Sequence, residues 1–396
     1  EALASGSVRF YVGFDPTAPS LHLGNLVQIL TAKRLQDAGH TPYALVGGAT
    51  GMIGDPRDSG ERTLNDADTV SEWVDRVRRQ IEPFLSFEGE NAATMVNNLD
   101  WTQGLSTIDF LRDIGKHFPV NRMLARETVK RRLEAGGISY TEFSYVLLQS
   151  MDFLSLYREH GVTLQFGGSD QWGNITGGAE LIRRAAGATV HAFATPLITK
   201  SDGTKYGKTE GGALWLDPSM LSPYSFYQFW LNVEDEKVGE LLRIFTFLSR
   251  AEIEEIEATH AEKPFLRAGQ KALAEHVTTL VHGAEETARI QAASAALFGG
   301  GDMSALSADT LGAALGEAGA ITVDRARMPS VTDLLVEAGL AKSKGEARRT
   351  VGEGGAYLNN VRVEDPELVP TEDHLIGGRW MVLRKGKKSF KGVEVR

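Results

Sequence analysis

The stretch FYVGFDPTAPSLHLGN, residues 10–25, decides the fold that we predict for this chain. Its apolar beginning has the β-branched and aromatic residues of a strand, and the DPT that starts at Asp15 is typical of a turn. Ser20 is placed to cap the helix that follows, with His22 and Asn25 on one face of its first turn. This order predicts a phosphate-binding element, because backbone N–H groups and the helix dipole point outward at such a helix N-terminus.

A second strand over residues 43–46 follows the first helix and leads into the loop GGATGMIGDP, residues 47–56. Strand, helix and strand at this spacing predict a right-handed βαβ unit on a parallel sheet. The glycines do not follow the GxGxxG spacing, which excludes a dinucleotide fingerprint. Asp55 ends the loop and is expected at the carboxyl edge of the sheet, where such folds bind ligands.

Two further stretches predict a lined pocket. The helix YVLLQSMDFL carries Tyr145, Gln149 and Asp152 at positions i, i+4 and i+7, so three polar groups share one face. The stretch GGSDQWGN, residues 167–174, again opens from a strand through glycines into a helix, with Asp170 and Gln171 at its mouth. A single polar residue of this kind is usually a surface group, but three on one stripe flanked by Leu and Met favour a pocket.

The loop TKSDGTKYGKTEGG, residues 199–212, is close to a Walker phosphate loop but one residue short, and no helix obviously follows it. We therefore predict a glycine loop whose lysines Lys200, Lys205 and Lys208 close over a polyphosphate. The alternative is a solvated lysine loop.

Composition excludes several classes of protein. The chain has 396 residues, no cysteine and a net charge of −10. It can form no disulfide framework and has no cysteine nucleophile. Its histidines show no metal-binding spacing, and no apolar run approaches membrane-spanning length. We expect a cytoplasmic protein without a protein-bound metal; because Glu1 stands first, N-terminal residues are expected to be missing or processed.

The end of the chain differs from the acidic body. Residues 377–396 hold seven basic residues against one acidic residue. Before them, Ser330 and Ser343 each precede an acidic residue by three positions, which predicts two capped helices, and short strand candidates follow. A compact basic module of this kind suits RNA recognition, and a merely solvated tail is the alternative.

Taken together, the motifs resemble one family. HLGN, residues 22–25, resembles the HIGH motif of class I aminoacyl-tRNA synthetases, and KYGKT, residues 205–209, resembles their KMSKS loop. With YVGFDPT, GGATGMIGDP, FSYVLLQSMD and GGSDQWGN in this order, essentially the whole chain closely resembles the bacterial tyrosyl-tRNA synthetase family. The resemblance implies ATP-dependent attachment of L-tyrosine to tRNA(Tyr) through tyrosyl-adenylate, with magnesium carried on ATP. It also implies a homodimer with an interface near Phe118 and Tyr140, and neither a DNA nor a membrane partner.

The resemblance assigns roles residue by residue. Tyr11 and Asp152 bind the phenol hydroxyl of tyrosine; Asp55, Tyr145 and Gln149 bind its ammonium group, and Gln171 its carboxylate side. The ATP site comprises Gly13, Asp15, Thr17, His22, Gly24, Asn25, Gly168, Asp170 and Lys208. The catalytic set comprises His22, Asn25, Thr17, Lys205, Lys208 and Thr209.

Two departures from the family pattern stand out. Asn25 replaces the second histidine of the HIGH motif; it can donate to a phosphate or ribose oxygen but carries no charge. We expect activity to survive with altered ATP contacts. The stretch before the first strand is also shorter than is usual in the family. This shortening affects the N-terminal segment that covers the site in the family.

The predicted fold class is α/β. We expect a Rossmann-like, doubly wound parallel-sheet catalytic domain over residues 1–216 with a helical insertion at about 104–160. An α-helical domain over 217–320 and a small α+β RNA-binding domain over 328–396 follow. The glycine-rich run at 312–320 is expected to be a linker.

Three alternatives stay open on the sequence. One is specificity for tryptophan, against which Tyr11 and Asp152 argue. Another is an RNA-binding protein that keeps the fold without catalysis, which only Asn25 supports. The third is a small-molecule nucleotidyltransferase, against which the basic C-terminal module argues.

Overall fold

The chain forms two compact units, residues 1–220 and 221–396, in the computed structural model. The structure describes residues 2–56, 60, 63–204, 206–209, 212–299, 303, 306–386 and 389–396. In that part of the chain no helix is both long enough and apolar enough to cross a membrane.

A five-stranded parallel sheet forms the centre of the first unit, in the order β3-β2-β1-β4-β5. Its strands are β1 Arg9–Phe14, β2 Thr41–Val46, β3 Thr94–Asn97, β4 Leu164–Gly168 and β5 His191–Thr195. The strand order reverses between β1 and β4, which is where doubly wound folds bind their ligands. The predicted Rossmann-like parallel sheet is confirmed.

Strand β1 is the middle strand of the sheet, and most of its side chains are buried. Phe10, Tyr11, Val12 and Phe14 are at most 2% exposed. Tyr11 lies beside Tyr43 of β2 on one side and beside Gln165 of β4 on the other. A strand covered on both sides in this way reads as a continuous apolar run rather than an alternating one.

The helices of the first unit include those predicted from the sequence and those of the predicted helical insertion. They are α1 Ala2–Ser5, α2 Leu23–Asp37, α3 Gly48–Ile53, α4 Ala67–Ile81, α5 Leu99–Thr102, α6 Thr107–Asp109, α7 Val120–Leu124, α8 Glu127–Ala135, α9 Tyr140–His160 and α10 Trp172–Ala186. A short hairpin, β6 Lys208–Thr209 and β7 Gly212–Ala213, lies in the lysine loop.

The predicted cap of α2 is wrong by two residues. His22, not Ser20, is the N-cap, and the hydroxyl of Ser20 donates instead to the backbone oxygen of Leu21 over 2.7 Å. The reason is that residues 21–23 are held extended by backbone hydrogen bonds to Leu214 and Leu216. The helix therefore begins only after these bonds.

The second unit begins with a helical layer around an aromatic core. Its helices are α11 Pro223–Leu231, α12 Asp235–Phe245, α13 Arg250–Glu262, α14 Ala268–His282, α15 Ala284–Gly299 and α16 Ala308–Ala318. Trp230 is buried against Phe226 and Phe245, which agrees with the expected core role of this cluster.

The linker predicted at residues 312–320 is wrong, because helix α16 covers most of it. Leu311 and Leu315 are fully buried and supply the helix with an apolar stripe. Gly312 allows close packing: a Cβ atom there would lie 2.9 Å from the ring of Trp380. This glycine is therefore a packing residue and not a flexible one.

A mixed five-stranded sheet completes the second unit, in the order β10-β9-β11-β12-β8. Its elements are β8 Ala320–Val323, α17 Val331–Glu337, α18 Lys344–Gly352, β9 Ala356–Leu358, β10 Val361–Arg362, β11 Trp380–Lys385 and β12 Ser389–Val395. Ser330 and Ser343 cap α17 and α18 as predicted.

The basic end of the chain is not a solvated tail. Strand β12 lies between β11 and β8, and its Val393 and Val395 are buried. Strand β8 pairs in parallel with β12, so the sheet takes in residues that precede the boundary predicted at 328. The division of the chain at 216, 320 and 328 stays a prediction.

Candidate active site

The acidic side chain of α9 that the sequence predicts in a pocket is buried. Asp152 of α9 is 2% exposed and accepts hydrogen bonds from Asn98 Nδ2 over 3.1 Å and from Trp101 Nε1 over 2.9 Å. Burial raises the pKa of the Asp152 carboxyl to about 8, although both hydrogen bonds act in the opposite direction. The carboxyl group is therefore held in place by two donors from the segment that follows β3.

Tyr11 of β1 supplies a second polar group. Its hydroxyl is buried and has no hydrogen-bond partner among the described residues. Burial raises the pKa of Tyr11 well above its usual value, and the charges of Asp152 and Asp15 raise it further. The phenol thus stays protonated, and an unpartnered hydroxyl in this position is best explained by a ligand that pairs with it.

Asp15 links β1 to two other elements. Its Oδ2 accepts a hydrogen bond from the Tyr145 hydroxyl and its Oδ1 accepts one from Thr50 Oγ1, each over 2.6 Å. Asn98 Nδ2 in turn donates to Thr50 Oγ1 over 2.9 Å. The network therefore runs from Asp15 to the Asn98 that also holds Asp152.

Burial raises the pKa of Tyr145 well above its ordinary value, followed by the charges of Asp15 and Asp55. One helical turn on, Gln149 has a buried Oε1 without a hydrogen-bond partner in the described part of the chain. This carbonyl oxygen is an acceptor that a ligand ammonium group would satisfy.

Asp55 lies at the mouth of the pocket with two amides. Gln171 Nε2 donates to Asp55 Oδ2 over 3.0 Å, and Asn174 Nδ2 donates to Asp55 Oδ1 over 3.3 Å. Asn174 Nδ2 also donates to Gln171 Oε1 over 3.0 Å. These groups open onto a cavity of about 340 Å³, whose lining includes Asp55, Arg126, Glu142, Tyr145, Asp170 and Asn174.

Asn25 has a structural role at the N-terminus of α2. Its Oδ1 accepts the backbone N–H of His22 over 3.1 Å, while His22 Nδ1 accepts the backbone N–H of Gly24 over 3.1 Å. Asn25 is thus one half of a reciprocal cap. Because Nδ1 of His22 is an acceptor, the neutral ring carries its proton on Nε2 and is a donor there.

The lysine loop is held against this helix start. Leu23 N–H donates to the backbone oxygen of Leu214 over 3.0 Å, and Leu216 N–H donates to that of Leu21 over 2.9 Å. Gly207 has a positive φ of 82° and packs on Leu23, where a Cβ atom would lie 2.9 Å from the side chain. Lys205 and the side chains of Lys208 and Thr209 lie outside the described residues.

A second cavity of about 280 Å³ lies beside the helix start. Its lining includes His22, Gly24, Gln28, Asp170, Ile198 and Tyr206. Gly168 allows the side chain of Asp170 to approach the backbone, because a Cβ atom there would lie 2.6 Å from Asp170 Oδ1. Gly13 stands near the end of β1, and Thr17 closes the turn by donating its N–H to the backbone oxygen of Asp15 over 2.8 Å.

Four residues of these networks were not predicted from the sequence: Thr50, Asn98, Trp101 and Asn174. Asn98 follows β3 at the carboxyl edge of the sheet, and this position was a usable signal. No group of three or more His, Asp or Glu side chains in the described residues is arranged to hold a metal ion.

Comparison with known proteins identifies the family. Residues 4–299 match the family described as tRNA synthetases class I (W and Y), and residues 315–393 match the tyrosine–tRNA ligase SYY-like C-terminal domain. The chain belongs to the tyrosine–tRNA ligase family. The resemblance seen in the sequence motifs is thereby confirmed.

Relatives match along the whole chain. It is 63% identical over 397 residues to the tyrosine–tRNA ligase of Streptomyces coelicolor, covering 100% of this chain and 94% of the relative. It is 56% identical over 391 residues to that of Mycobacterium tuberculosis, covering 98% and 92%. Among solved structures, a C-terminally truncated mitochondrial tyrosyl-tRNA synthetase of Aspergillus nidulans matches with a TM-score of 0.66 and 31% identity, over 74% of this chain and 86% of that one.

The enzyme is therefore a class I synthetase that uses ATP and attaches tyrosine to tRNA through an aminoacyl-adenylate. The full-length matches to tyrosine–tRNA ligases argue against the tryptophan, non-catalytic and small-molecule alternatives.

Proposed function

We propose that the pocket around Asp152 binds the tyrosine substrate with its phenol hydroxyl between Tyr11 and Asp152. The observation that carries this assignment is the buried, unpartnered hydroxyl of Tyr11, which lies close enough to the buried carboxyl group of Asp152 for its charge to raise the pKa of Tyr11. Phenylalanine would leave both groups unsatisfied, which is a large penalty in a buried site, and tyrosyl-tRNA synthetases are themselves the established example of that penalty. Selectivity against phenylalanine follows from it.

The amine end of tyrosine is assigned to Asp55, Tyr145 and Gln149, with Gln171 on the carboxylate side. Support comes from the unpartnered Oε1 of Gln149 and from the carboxylate of Asp55 at the cavity mouth. Asp15 is held by Tyr145 and Thr50, so it orients this end of the pocket as well as the turn beside ATP.

ATP is assigned to the second cavity. The proposed contacts are Gly13, Asp15, Thr17, His22, Gly24, Asn25, Gly168, Asp170 and Lys208. His22 Nε2 and the amide of Asn25 would donate to phosphate or ribose oxygens, and Lys205, Lys208 and Thr209 would close over the pyrophosphate. A magnesium ion would travel on ATP and neutralise its phosphates.

The reaction then needs no covalent enzyme intermediate. A tyrosine carboxylate oxygen forms a bond to the α-phosphorus as the bond to the bridging oxygen of pyrophosphate breaks. In the second step a hydroxyl of the terminal ribose attacks the tyrosyl carbonyl carbon, and AMP leaves. The chain's own contribution is to position the reactants and to stabilise negative charge at the phosphates.

ATP–pyrophosphate exchange with tyrosine, tryptophan and phenylalanine in parallel tests these roles. We expect exchange with tyrosine alone, and we expect Asp152→Ala to lose tyrosine binding or the preference over phenylalanine. Unchanged selectivity in Asp152→Ala would refute the role of Asp152. Exchange by wild type with tryptophan alone would refute the specificity.

We also propose that the enzyme is a homodimer. Large apolar side chains are exposed along the helical insertion, namely Ile108, Leu111, Val120, Leu124, Leu133 and Tyr140. Such a cluster on one segment is typical of an interface. Sedimentation should give a dimer for wild type and a monomer for Val120→Asp; a wild-type monomer would refute the proposal.

The C-terminal sheet with α17 and α18 is proposed to bind tRNA(Tyr). Its support is the exposed basic face of α18, which carries Lys344, Arg348 and Arg349. Deleting residues 320–396 should spare adenylate formation and impair tRNA charging. Unimpaired charging would contradict this role. The cytoplasm, where tRNA is charged, is the proposed location.

A further inference from the structure

Arg126 reaches the amino-acid pocket from the helical insertion. It is the N-cap residue of α8, in extended conformation directly after α7, and its half-buried guanidinium points at the start of α10. Buried Met123 and Val129 anchor the backbone on either side of it. The side chain therefore projects from a short segment that is fixed at both ends.

The guanidinium makes two hydrogen bonds to α10. Its Nη1 donates to Asn174 Oδ1 over 3.0 Å, and its Nη2 donates to the backbone oxygen of Gly173. A cation can only donate, so it fixes which end of the Asn174 amide faces it. The oxygen of Asn174 must point at Arg126, and its Nδ2 must point away.

Nδ2 of Asn174 is the atom that contacts Asp55 and Gln171, the residues proposed to bind tyrosine. It donates to Asp55 Oδ1 over 3.3 Å and to Gln171 Oε1 over 3.0 Å. Gln171 Nε2 is thereby left to donate to Asp55 Oδ2. If the Asn174 amide turned over, its oxygen would face a carboxylate and another amide oxygen, and three hydrogen bonds would be lost or reversed.

Small residues on α10 make room for the guanidinium. A Cβ atom at Gly177 would lie 3.2 Å from Nη2 of Arg126, and one at Gly173 would lie 3.9 Å from its Cζ and Nη1 atoms, in ordinary van der Waals contact. Gly173 and Gly177 are one helical turn apart on the same face. Gly177 therefore leaves room for both Ser150, whose Oγ would lie 2.8 Å from such a Cβ atom, and the guanidinium of Arg126.

We propose that Arg126 is a positioning residue for the tyrosine ammonium group. It orients Asn174, and through it the Asp55 carboxylate and the Gln171 amide, toward the cavity. The proposal rests on the proposed roles of Asp55 and Gln171. A charge-assisted, two-bond contact of this kind is stronger and more directional than a neutral hydrogen bond.

The test measures equilibrium binding of three ligands to the full-length enzyme carrying Arg126→Gln. L-Tyrosine and tyramine have the amine, whereas 3-(4-hydroxyphenyl)propanoate lacks it. We expect affinity for tyrosine and tyramine to fall about tenfold, the scale of one charge-assisted hydrogen bond. Affinity for the propanoate, whose carboxylate is assigned to Gln171 and which makes no contact with Asp55 through an amine, should fall less than affinity for tyramine, and the KM for ATP should stay within twofold. Arg126→Lys, which retains one donor direction, should fall between wild type and Arg126→Gln.

Two comparisons separate this relay from a general loss of structure. Adding Arg126→Gln to Asn174→Ala should cost no more tyrosine affinity than Asn174→Ala alone, because both act through one chain of bonds. Arg76→Gln, which removes an exposed guanidinium paired with Glu72 on α4, should bind all three ligands as wild type does.

Equal losses for all three ligands, no loss for any of them, or additive losses in the double variant would overturn the proposal. Asp55→Asn distinguishes the premise from the relay. If Asp55→Asn leaves tyramine affinity intact, the proposed role of Asp55 fails. If it weakens tyramine binding while Arg126→Gln does not, the relay alone fails.

Discussion

The hydroxyl of Tyr145 donates to Oδ2 of Asp15 over 2.6 Å, although the two residues are 130 positions apart. The bond joins the pocket face of α9 to the turn that follows β1. Asp15 is also held by Thr50 from the next βα unit. The proposed tyrosine and ATP sites therefore share one carboxylate, whose orientation depends on both sides.

Tyr145→Phe tests this shared carboxylate. Loss of a hydrogen bond to a charged group costs about 1.5–3 kcal/mol, so we expect kcat/KM for tyrosine in the exchange reaction to fall roughly 10- to 100-fold. Tyr157→Phe on the same helix is the matched control and should behave as wild type. A change of less than threefold in Tyr145→Phe would contradict the role of the bond.

The raised pKa of Asp152 predicts an unusual dependence of stability on pH. A carboxyl with a pKa of about 8 in the folded state and near 4 when unfolded holds its proton more tightly when folded. Its contribution to stability is complete below about pH 4 and declines as the pH rises through about 8. The sign is opposite to that of an ion-paired surface carboxylate.

Thermal unfolding of Asp152→Asn at pH 5 and pH 8 measures this contribution. The variant cannot ionise, so its free energy of unfolding should rise relative to that of wild type by about 4 kcal/mol between these pH values, at about 1.4 kcal/mol per pH unit. In Asp66→Asn the difference from wild type should stay constant, because the pKa of the helix-capping Asp66 lies below its usual value and the group is ionised throughout. A constant gap for Asp152→Asn would show that its pKa is not raised.

Local patterns were enough to predict the frame of the site. The apolar run of β1, the turn after it and the polar stripe of Tyr145, Gln149 and Asp152 all lie within one or two elements. Their periodicity therefore reports their position directly. The partners of these groups could not be found in this way, because Thr50 and Asn98 reach Asp15 and Asp152 across 35 and 54 residues.

Strand β12 was missed for a different physical reason. Its segment SFKGVEV contains charged as well as apolar residues within a basic stretch, and the sequence predicts a basic module or a solvated tail there and not a strand. In the fold Glu394 is buried and accepts hydrogen bonds from Arg379 and Arg396, so part of the local positive charge is neutralised by pairing. Arg384 likewise donates to the backbone oxygen of Leu297 rather than facing solvent. Basic residues counted along a sequence thus overstate the charge available to RNA.

Asn25 has two separable tasks, and two substitutions distinguish them. Asn25→Ala removes the acceptor for His22 N–H, so we expect a loss of about 1 kcal/mol in stability together with weaker ATP binding. Asn25→Asp keeps the acceptor but places a negative charge beside the proposed phosphate site. It should keep wild-type stability and raise the KM for ATP at least tenfold. If Asn25→Asp has an unchanged KM for ATP, Asn25 serves only as a cap.

The exposed arginines of α18 are expected to act on tRNA and not on adenylate formation. Arg349→Glu should raise the KM for tRNA severalfold and weaken the dependence of that KM on salt, because fewer counterions are released when a phosphate contact is lost. Arg349 is the better choice than Arg348, whose guanidinium pairs with Glu367 over 3.0 Å. Tyrosine-dependent exchange should not change in this variant, and Arg76→Glu should leave both reactions as in wild type. An equal loss of exchange and charging in Arg349→Glu would show that the substitution acts by disturbing the fold. An unchanged KM for tRNA would show that α18 is not part of the RNA-binding surface.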